Sequence, residues 1–376
     1  MKFIVSSSEL QRHIGLISGA VPAKAVLPII MNILFELKDS TLFLTATDME
    51  ITMQTSLMVE AAPDATFNLA LPTKIITDTL KALPEQPLTF DQLEGTPIAK
   101  IITDNGEYKI NGINGADFPR FTHTNDNSSI FLSAATITNA IDKVLFAASN
   151  DELKLAMTGM FFQFGTDNTT FVATDAHRLV RYRRTDIKVG EPASFILPSK
   201  ALKLVKIAAP SSEGDIQVEF NNRNAFFHIG STLMVCRLID ARFPEYDAVI
   251  PKSSPNKLII SKRELLSTMK RLDIYSSKST HLGKFKFSGN ILEVVSDDIE
   301  FGNEGKEKLN CLYEGEELEI GFNISLMTDV INNIDTEEVT IELDTPGRAA
   351  VVLPAENEAN EDLLMLLMPV ILGSSY

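Results

Sequence analysis

Polar and apolar residues alternate along most of this chain in runs of three to six. Between residues 128 and 252 such runs predict strands over 129–132, 160–164, 170–173, 194–196, 216–220, 225–229 and 233–238. Alternation of this kind belongs to antiparallel strands with one face buried. Turn formers separate the runs at Gly165-Thr166-Asp167-Asn168, Glu213-Gly214-Asp215 and Asn221-Asn222-Arg223-Asn224. Two stretches keep a helical period instead. The spacing over 134–148 puts Ile137, Ala140, Ile141, Val144 and Leu145 on one face, and that over 199–209 does the same for Leu202, Val205 and Ala209.

The same order of elements occurs three times. Leu71-Pro72-Thr73-Lys74, Leu197-Pro198-Ser199-Lys200 and Phe322-Asn323-Ile324-Ser325 each open a helical stretch, at spacings of 126 and 125 residues. Phe3-Ile4-Val5, Ile130-Phe131-Leu132 and Leu258-Ile259-Ile260 each precede a polar helix start. Ser261 with Glu264 and Ser6 with Glu9 have the spacing of a helix cap. Thr47-Asp48, Thr174-Asp175 and Ser296-Asp297 end a strand in each copy, and Asp117-Phe118-Pro119 matches Arg242-Phe243-Pro244. A period this long is domain-sized. It predicts three tandem α+β domains, at 1–127, 128–252 and 253–376, each with two helices packed on antiparallel sheets of about eight strands. Within a copy the two halves also resemble one another.

Charge changes the picture. The chain carries −16 overall, which alone argues against a nucleic-acid partner. The six helical stretches nevertheless hold eleven basic residues against six acidic ones, leaving the remainder near −21. Lys200, Lys203 and Lys206 recur every three residues with no acid between them, on one side of a helix. Few aromatics accompany these cations, so the pattern suits a duplex backbone better than stacked bases. Cys236 and Cys311 sit far apart in apolar runs and read as buried thiols. The sequence offers no metal-ligand spacing, no phosphate-binding glycine loop and no run of 18 apolar residues. Its first residues turn polar too soon for a signal peptide, so a cytoplasmic protein is expected. Asp175, His177 and Arg178 lie close enough for acid–base chemistry, but Asp48 and Asp297 repeat Asp175 without a histidine. Asp175 therefore reads as a turn cap. No catalytic constellation, metal or cofactor is expected.

Met1-Lys2-Phe3, Leu27-Pro28-Ile29, Thr45-Ala46-Thr47-Asp48-Met49-Glu50, Thr174-Asp175-Ala176-His177-Arg178-Leu179, Arg242-Phe243-Pro244-Glu245-Tyr246, Glu319-Ile320-Gly321-Phe322-Asn323 and Met368-Pro369 occur in that order. In these segments the chain resembles the bacterial DNA polymerase sliding clamp, the processivity (beta) subunit, over nearly its whole length. The resemblance implies a homodimeric six-domain ring, lined by twelve helices, that encircles duplex DNA without reading its sequence. At about 10 Å between neighbouring helices the ring would leave a hole of roughly 30 Å. The expected DNA-facing residues are Lys24, Arg12, Lys74, Lys81, Lys143, Lys200, Lys203, Lys206 and Lys270.

The resemblance also implies partners: the replicative DNA polymerase catalytic subunit, a clamp loader complex, and repair polymerases, ligase and mismatch-repair proteins. These would dock peptides bearing a glutamine and apolar anchors in one groove. By matching motif its residues are Met157, Thr174, Ala176, His177, Arg178, Leu179, Pro244, Val249, Leu366, Met368, Pro369 and Val370, with His177 and Arg178 as polar rims. Ala248 and Ile371 stand where relatives often carry a basic residue, and Gly373-Ser374-Ser375-Tyr376 extends the end. Tyr108 and Ile110 would meet Ile274 and Tyr275 of a second subunit, edge strand to edge strand. A three-domain peptide-binding scaffold that never encircles DNA is the alternative function.

Overall fold

The computed structural model describes residues 2–93, 95–121 and 128–372. Among these residues are six α-helices: α1 (Ser7–Ile17), α2 (Thr73–Ala82), α3 (Ala134–Val144), α4 (Ser199–Ala208), α5 (Lys262–Leu272) and α6 (Ile324–Asn332). Each grows directly from a strand: Lys2–Ser6, Phe67–Pro72, Ser128–Ser133, Ala193–Pro198, Asn256–Ser261 and Leu318–Asn323 respectively. One strand–helix unit thus occurs twice per copy, as the likeness of the halves predicts. The caps differ in detail. Ser261 Oγ accepts from the Glu264 N–H and Ser133 Oγ from the Thr136 N–H, whereas Ser6 makes no cap bond and pairs with Ser8 Oγ instead.

The chain folds as two compact units, Met1–Thr138 with Lys200–Leu238 and Asn139–Ser199 with Ile239–Tyr376. The first holds a nine-stranded antiparallel sheet in the order Ile113–Asn114, Phe67–Pro72, Asn32–Lys38, Thr41–Thr47, Ile51–Met58, Thr232–Arg237, Asn224–Ile229, Asp215–Phe220 and Ser128–Ser133. It also holds a five-stranded sheet, Glu60–Ala61, Lys2–Ser6, Pro87–Gln92, Ile98–Ile102 and Glu107–Asn111. The second unit holds a nine-stranded sheet in the order Ala193–Pro198, Gly159–Phe164, Thr169–Thr174, Arg178–Arg184, Glu361–Leu367, Ala350–Pro354, Glu338–Leu343, Asn256–Ser261 and Leu312–Glu314. Its four-stranded sheet runs Asn303–Asn310, Ile291–Asp298, Leu282–Ser288 and Leu318–Asn323.

Both large sheets cross from one copy to the next. Ile51–Met58 of the first copy pairs with Thr232–Arg237 of the second, with Thr55 opposite Thr232. Arg178–Arg184 of the second pairs with Glu361–Leu367 of the third, with Leu179 opposite Leu366. The central copy is therefore shared between the two compact units. Aromatic clusters fill the cores. Phe3 stacks on Phe90 at 5.0 Å with Phe67 edge-on at 5.1 Å, and Phe162 stacks on Phe195 at 5.4 Å with Phe171 edge-on at 5.1 Å.

A buried ionic network fastens the second crossing. The Glu361 carboxylate accepts the Tyr182 hydroxyl at 2.5 Å, Lys143 Nζ at 2.9 Å and Arg184 Nη1 at 3.0 Å. Burial pushes the Glu361 carboxyl up, but these three donors outweigh it and hold the group below its ordinary value. Burial likewise pulls Lys143 down, and Glu361 and Asp335 more than restore it. Cys236 is fully buried, and burial pushes its thiol up to about 12. Cys311 departs from expectation: it is only partly covered and sits in the gap between Asn303–Asn310 and Leu312–Glu314.

Candidate functional site

The turn at Thr174–Arg178 starts the site. Asp175 Oδ1 accepts the backbone N–H groups of His177 and Arg178, each at 2.9 Å, and Oδ2 accepts Arg178 Nε at 3.1 Å. Thr174 Oγ1 donates to the Arg178 carbonyl and accepts from the Ala176 N–H. Asp48 and Thr47 build the same turn in the first copy, receiving the N–H groups of Glu50, Ile51 and Met49. Ala176 and Met49 share the left-handed φ of 79° that this turn requires. Asp175 is thus a turn cap whose oxygens are spent on backbone and arginine. In the third copy Ser296 and Asp297 stay within the strand Ile291–Asp298, and Ser296 Oγ donates to the Leu282 carbonyl.

The turn leads into one face of the large sheet of the second unit. Residues directly opposite in antiparallel strands share a face. Leu179 faces Thr174 and Leu366, Arg181 faces Val172 and Leu364, and Val351 faces Leu366. Phe243 and Tyr246 close over this face, in an apolar cluster with Val172, Leu179, Ile196, Leu364 and Leu366. Val249, 54% exposed, lies in the same short turn as Tyr246, and Met368, 41% exposed, follows the end of the strand Glu361–Leu367. Met157, Pro244, Pro369 and Val370 are half-buried, Ala176 and His177 exposed, and Thr174, Leu179 and Leu366 buried. The chain end is tied down by backbone: the Met368 N–H donates to the His177 carbonyl and the Val370 N–H to the Gly321 carbonyl, both at 2.8 Å. Only glycine fits at 321, since a Cβ there would lie 2.5 Å from the Val370 oxygen. Ile371 and Ala248 are exposed, and Gly373–Tyr376 lies outside the described residues.

Arg178 corrects the expectation of a polar rim. Its side chain is almost buried, bound to Asp175, to Asp329 of α6 at 2.7 Å and to the Phe146 carbonyl at 2.8 Å, with the guanidinium over the Phe146 ring. It braces the turn, so only His177 is left to line an edge. Sequence reasoning missed Phe161, Ile250 and Leu353, which pack against the cluster, and Arg181 and Arg183, which share its face. The strand Arg178–Arg184 itself was missed, because arginines at 178, 181, 183 and 184 hide the alternation.

Of the nine expected DNA-facing residues, Lys24, Arg12, Lys74, Lys81, Lys200, Lys203, Lys206 and Lys270 are exposed. Lys143 is not: its side chain is 14% exposed and bound to Glu361 and Asp335, so its charge serves the interior. Arg12 pairs with Glu9 and Lys200 with Asp48. On α4 the core side holds Ala201, Leu202, Leu204, Val205 and Ala208, leaving Lys200, Lys203, Lys206 and Ile207 outward.

Two sheet edges complete the picture. Glu107–Asn111 ends the five-stranded sheet and Asn303–Asn310 the four-stranded one. Tyr108 is 43% exposed on the first, and Ile274 and Tyr275 are 69% and 43% exposed beside the second. Ile110 is a correction. It is 4% exposed, in the core: it shares a face with Tyr108, two residues back, but the strand packs beside Phe67–Pro72 and covers Ile110 while leaving Tyr108 open.

Sequence profiles of known families match the chain in three consecutive pieces. They are the DNA polymerase III beta subunit N-terminal domain at residues 1–122, its central domain at 131–245 and its C-terminal domain at 247–370. The chain is 28% identical to the beta sliding clamp of Proteus mirabilis, over 98% of this chain and all of that one, and 28% identical to that of Escherichia coli K12 over the same shares. Among solved structures, the DNA polymerase III beta subunit of Thermotoga maritima superposes with a TM-score of 0.91 at 28% identity, covering 99% of this chain and 100% of that one. The sliding clamp of Pseudomonas aeruginosa bound to griselimycin, at 23% identity and a TM-score of 0.93, shares the fold over 99% of this chain and 100% of its own. With three profiles in register along almost its entire length, this chain belongs to the DNA polymerase III beta subunit family and is built of three tandem clamp domains.

Proposed function

We propose that this chain is a DNA sliding clamp. Two copies close as a six-domain ring around duplex DNA, tether the replicative DNA polymerase and other replication and repair proteins, and confer processivity. Membership of the family through all three of its domains is the observation that carries the reading. The segregation of charge supports it: exposed lysines on α2, α4 and α5 belong to a chain of net charge −16. Such a ring holds DNA by topology, through phosphate contacts that are mobile and screened by salt. The clamp performs no chemistry of its own, and a separate ATP-driven loader opens it. It works in the cytoplasm, with its replication partners. The copies are taken as 1–127, 128–252 and 253–376; the third family match begins at residue 247, inside the last turn of the central copy.

Partner peptides dock on the apolar face between Val249 and Met368, which is open to solvent at both residues. Met and Leu side chains there adapt to several ligands. Subunits join through the edge strands Glu107–Asn111 and Asn303–Asn310, with Tyr108 packing on Ile274 and Tyr275, and closing the ring covers both bare edges. Retention on DNA tests the function: loaded protein stays on a nicked circular plasmid and leaves once the plasmid is linearised. Equal retention on both forms would favour the scaffold that never encircles DNA.

A further inference from the structure

The apolar face does not end at Leu179. Two residues along the same strand and the same face stands Arg181, and two beyond it Arg183. Arg181 lies between Val172 and Leu364, both members of the apolar cluster, and Arg183 between Thr170 and Asp362. The two guanidiniums share Asp362, at 2.8 Å from Arg181 Nη2 and 3.5 Å from Arg183 Nη1. Arg183 Nε reaches Thr170 Oγ1 at 3.4 Å. Arg181 Nε is buried without an acceptor among the described residues, which is rare for a buried donor. Tyr246, whose hydroxyl donates to Gln163 at 2.6 Å, is close enough to feel both positive charges. Asp247 beside it is exposed and forms no ion pair with either arginine among the described residues. A guanidinium carries five N–H donors that fit a carboxylate in pairs. Among the described residues Asp362 and the Thr170 hydroxyl take only a few of these donors, at the margin of a face on which apolar anchors are proposed to rest.

We infer that Arg181 and Arg183 form an anion subsite continuous with the partner groove, selecting peptides that carry an aspartate or glutamate beside their apolar anchors. The inference rests on the proposal that this face is the partner groove. Four residues separate Leu179 from Arg183, about 13 Å of strand, so the acid belongs within about four residues of the anchor seated on Leu179 and Leu366.

Two fluorescein-labelled peptides test this by polarisation against the full-length protein. Both carry a glutamine and two leucine anchors; one has Asp three residues out on either side, the other Asn. The Asp peptide should bind about tenfold more tightly at low salt, the scale of one charge-assisted hydrogen bond, and lose that advantage at high salt. Arg183→Gln, a partly exposed position, should bring the ratio close to one. Asp362→Asn, which frees both arginines, should widen it. Equal affinities for the native protein, or a ratio indifferent to Arg183→Gln, overturn the subsite while leaving the groove standing. Failure of both peptides to bind overturns the groove reading and the subsite with it.

Discussion

Glu361→Ala is the sharpest test of what holds the second and third copies in register. The side chain is 4% exposed and receives three donors, two of them cationic and themselves 14% and 15% exposed. Removing one member of a buried ion pair costs about 3–5 kcal/mol, because the partner's charge stays buried and unpaired. Here Asp335 still reaches Lys143 and Asp186 still reaches Arg184, so the lower end, about 3 kcal/mol, is expected. With a urea slope of about 3 kcal/mol/M the unfolding midpoint should fall by about 1 M. Removing Lys143 as well, as Lys143→Met, should recover about 1 kcal/mol, since the stranded cation goes too. The sign with pH follows from the depressed carboxyl of Glu361. Its contribution is complete above the ordinary value of 4.5 and is lost as pH falls through the lower folded value. The native protein should therefore lose stability on acidification below about pH 4.5 more steeply than Glu361→Gln. An unchanged urea midpoint for Glu361→Ala, or a double variant no better than the single one, would show that the network contributes nothing net.

Two further outcomes concern the turn and the sheet edges. Asp175→Ala removes the acceptor of two turn N–H groups and of Arg178 and should cost about 1–2 kcal/mol in thermal unfolding, as should Asp48→Ala to a smaller degree. Tyr108→Asp and Ile274→Asp should halve the solution mass, read by light scattering, while leaving each chain folded; Ile110→Asp should instead unfold its sheet, because that side chain is in the core.

Much of the fold is readable from the residues. The threefold period locates all six helices: Phe3-Ile4-Val5, Ile130-Phe131-Leu132 and Leu258-Ile259-Ile260 lead into α1, α3 and α5, and Leu71-Pro72, Leu197-Pro198 and Phe322-Asn323 into α2, α4 and α6. Asp48 and Asp175 announce a turn because a repeated acid without a repeated histidine has a backbone role. Other features depend on tertiary partners that lie far along the chain. Lys143 looks like any helix-surface lysine until Glu361, 218 residues away, draws it inward. Arg178 looks like a rim until Asp329 and the Phe146 carbonyl claim its donors. Ile110 and Tyr108 read alike as apolar edge residues on one face, and only the covering of Ile110 by neighbouring chain separates them. The strand Arg178–Arg184 is illegible because its polar positions are satisfied by acids from another copy, so it lacks the apolar alternation of a strand that faces water.

The sharing of the central copy between two compact units has a practical consequence for dissection. A fragment cut at the sequence boundaries, 128–252, would leave Thr232–Arg237 and Arg178–Arg184 each with one bare side. Those sides carry unpaired backbone donors and acceptors next to Val235, Leu179 and Val180, the composition that recruits foreign strands. Such a fragment should aggregate on expression although its repeat is whole. The unit that repeats along the sequence is therefore not the unit that can be isolated at the bench.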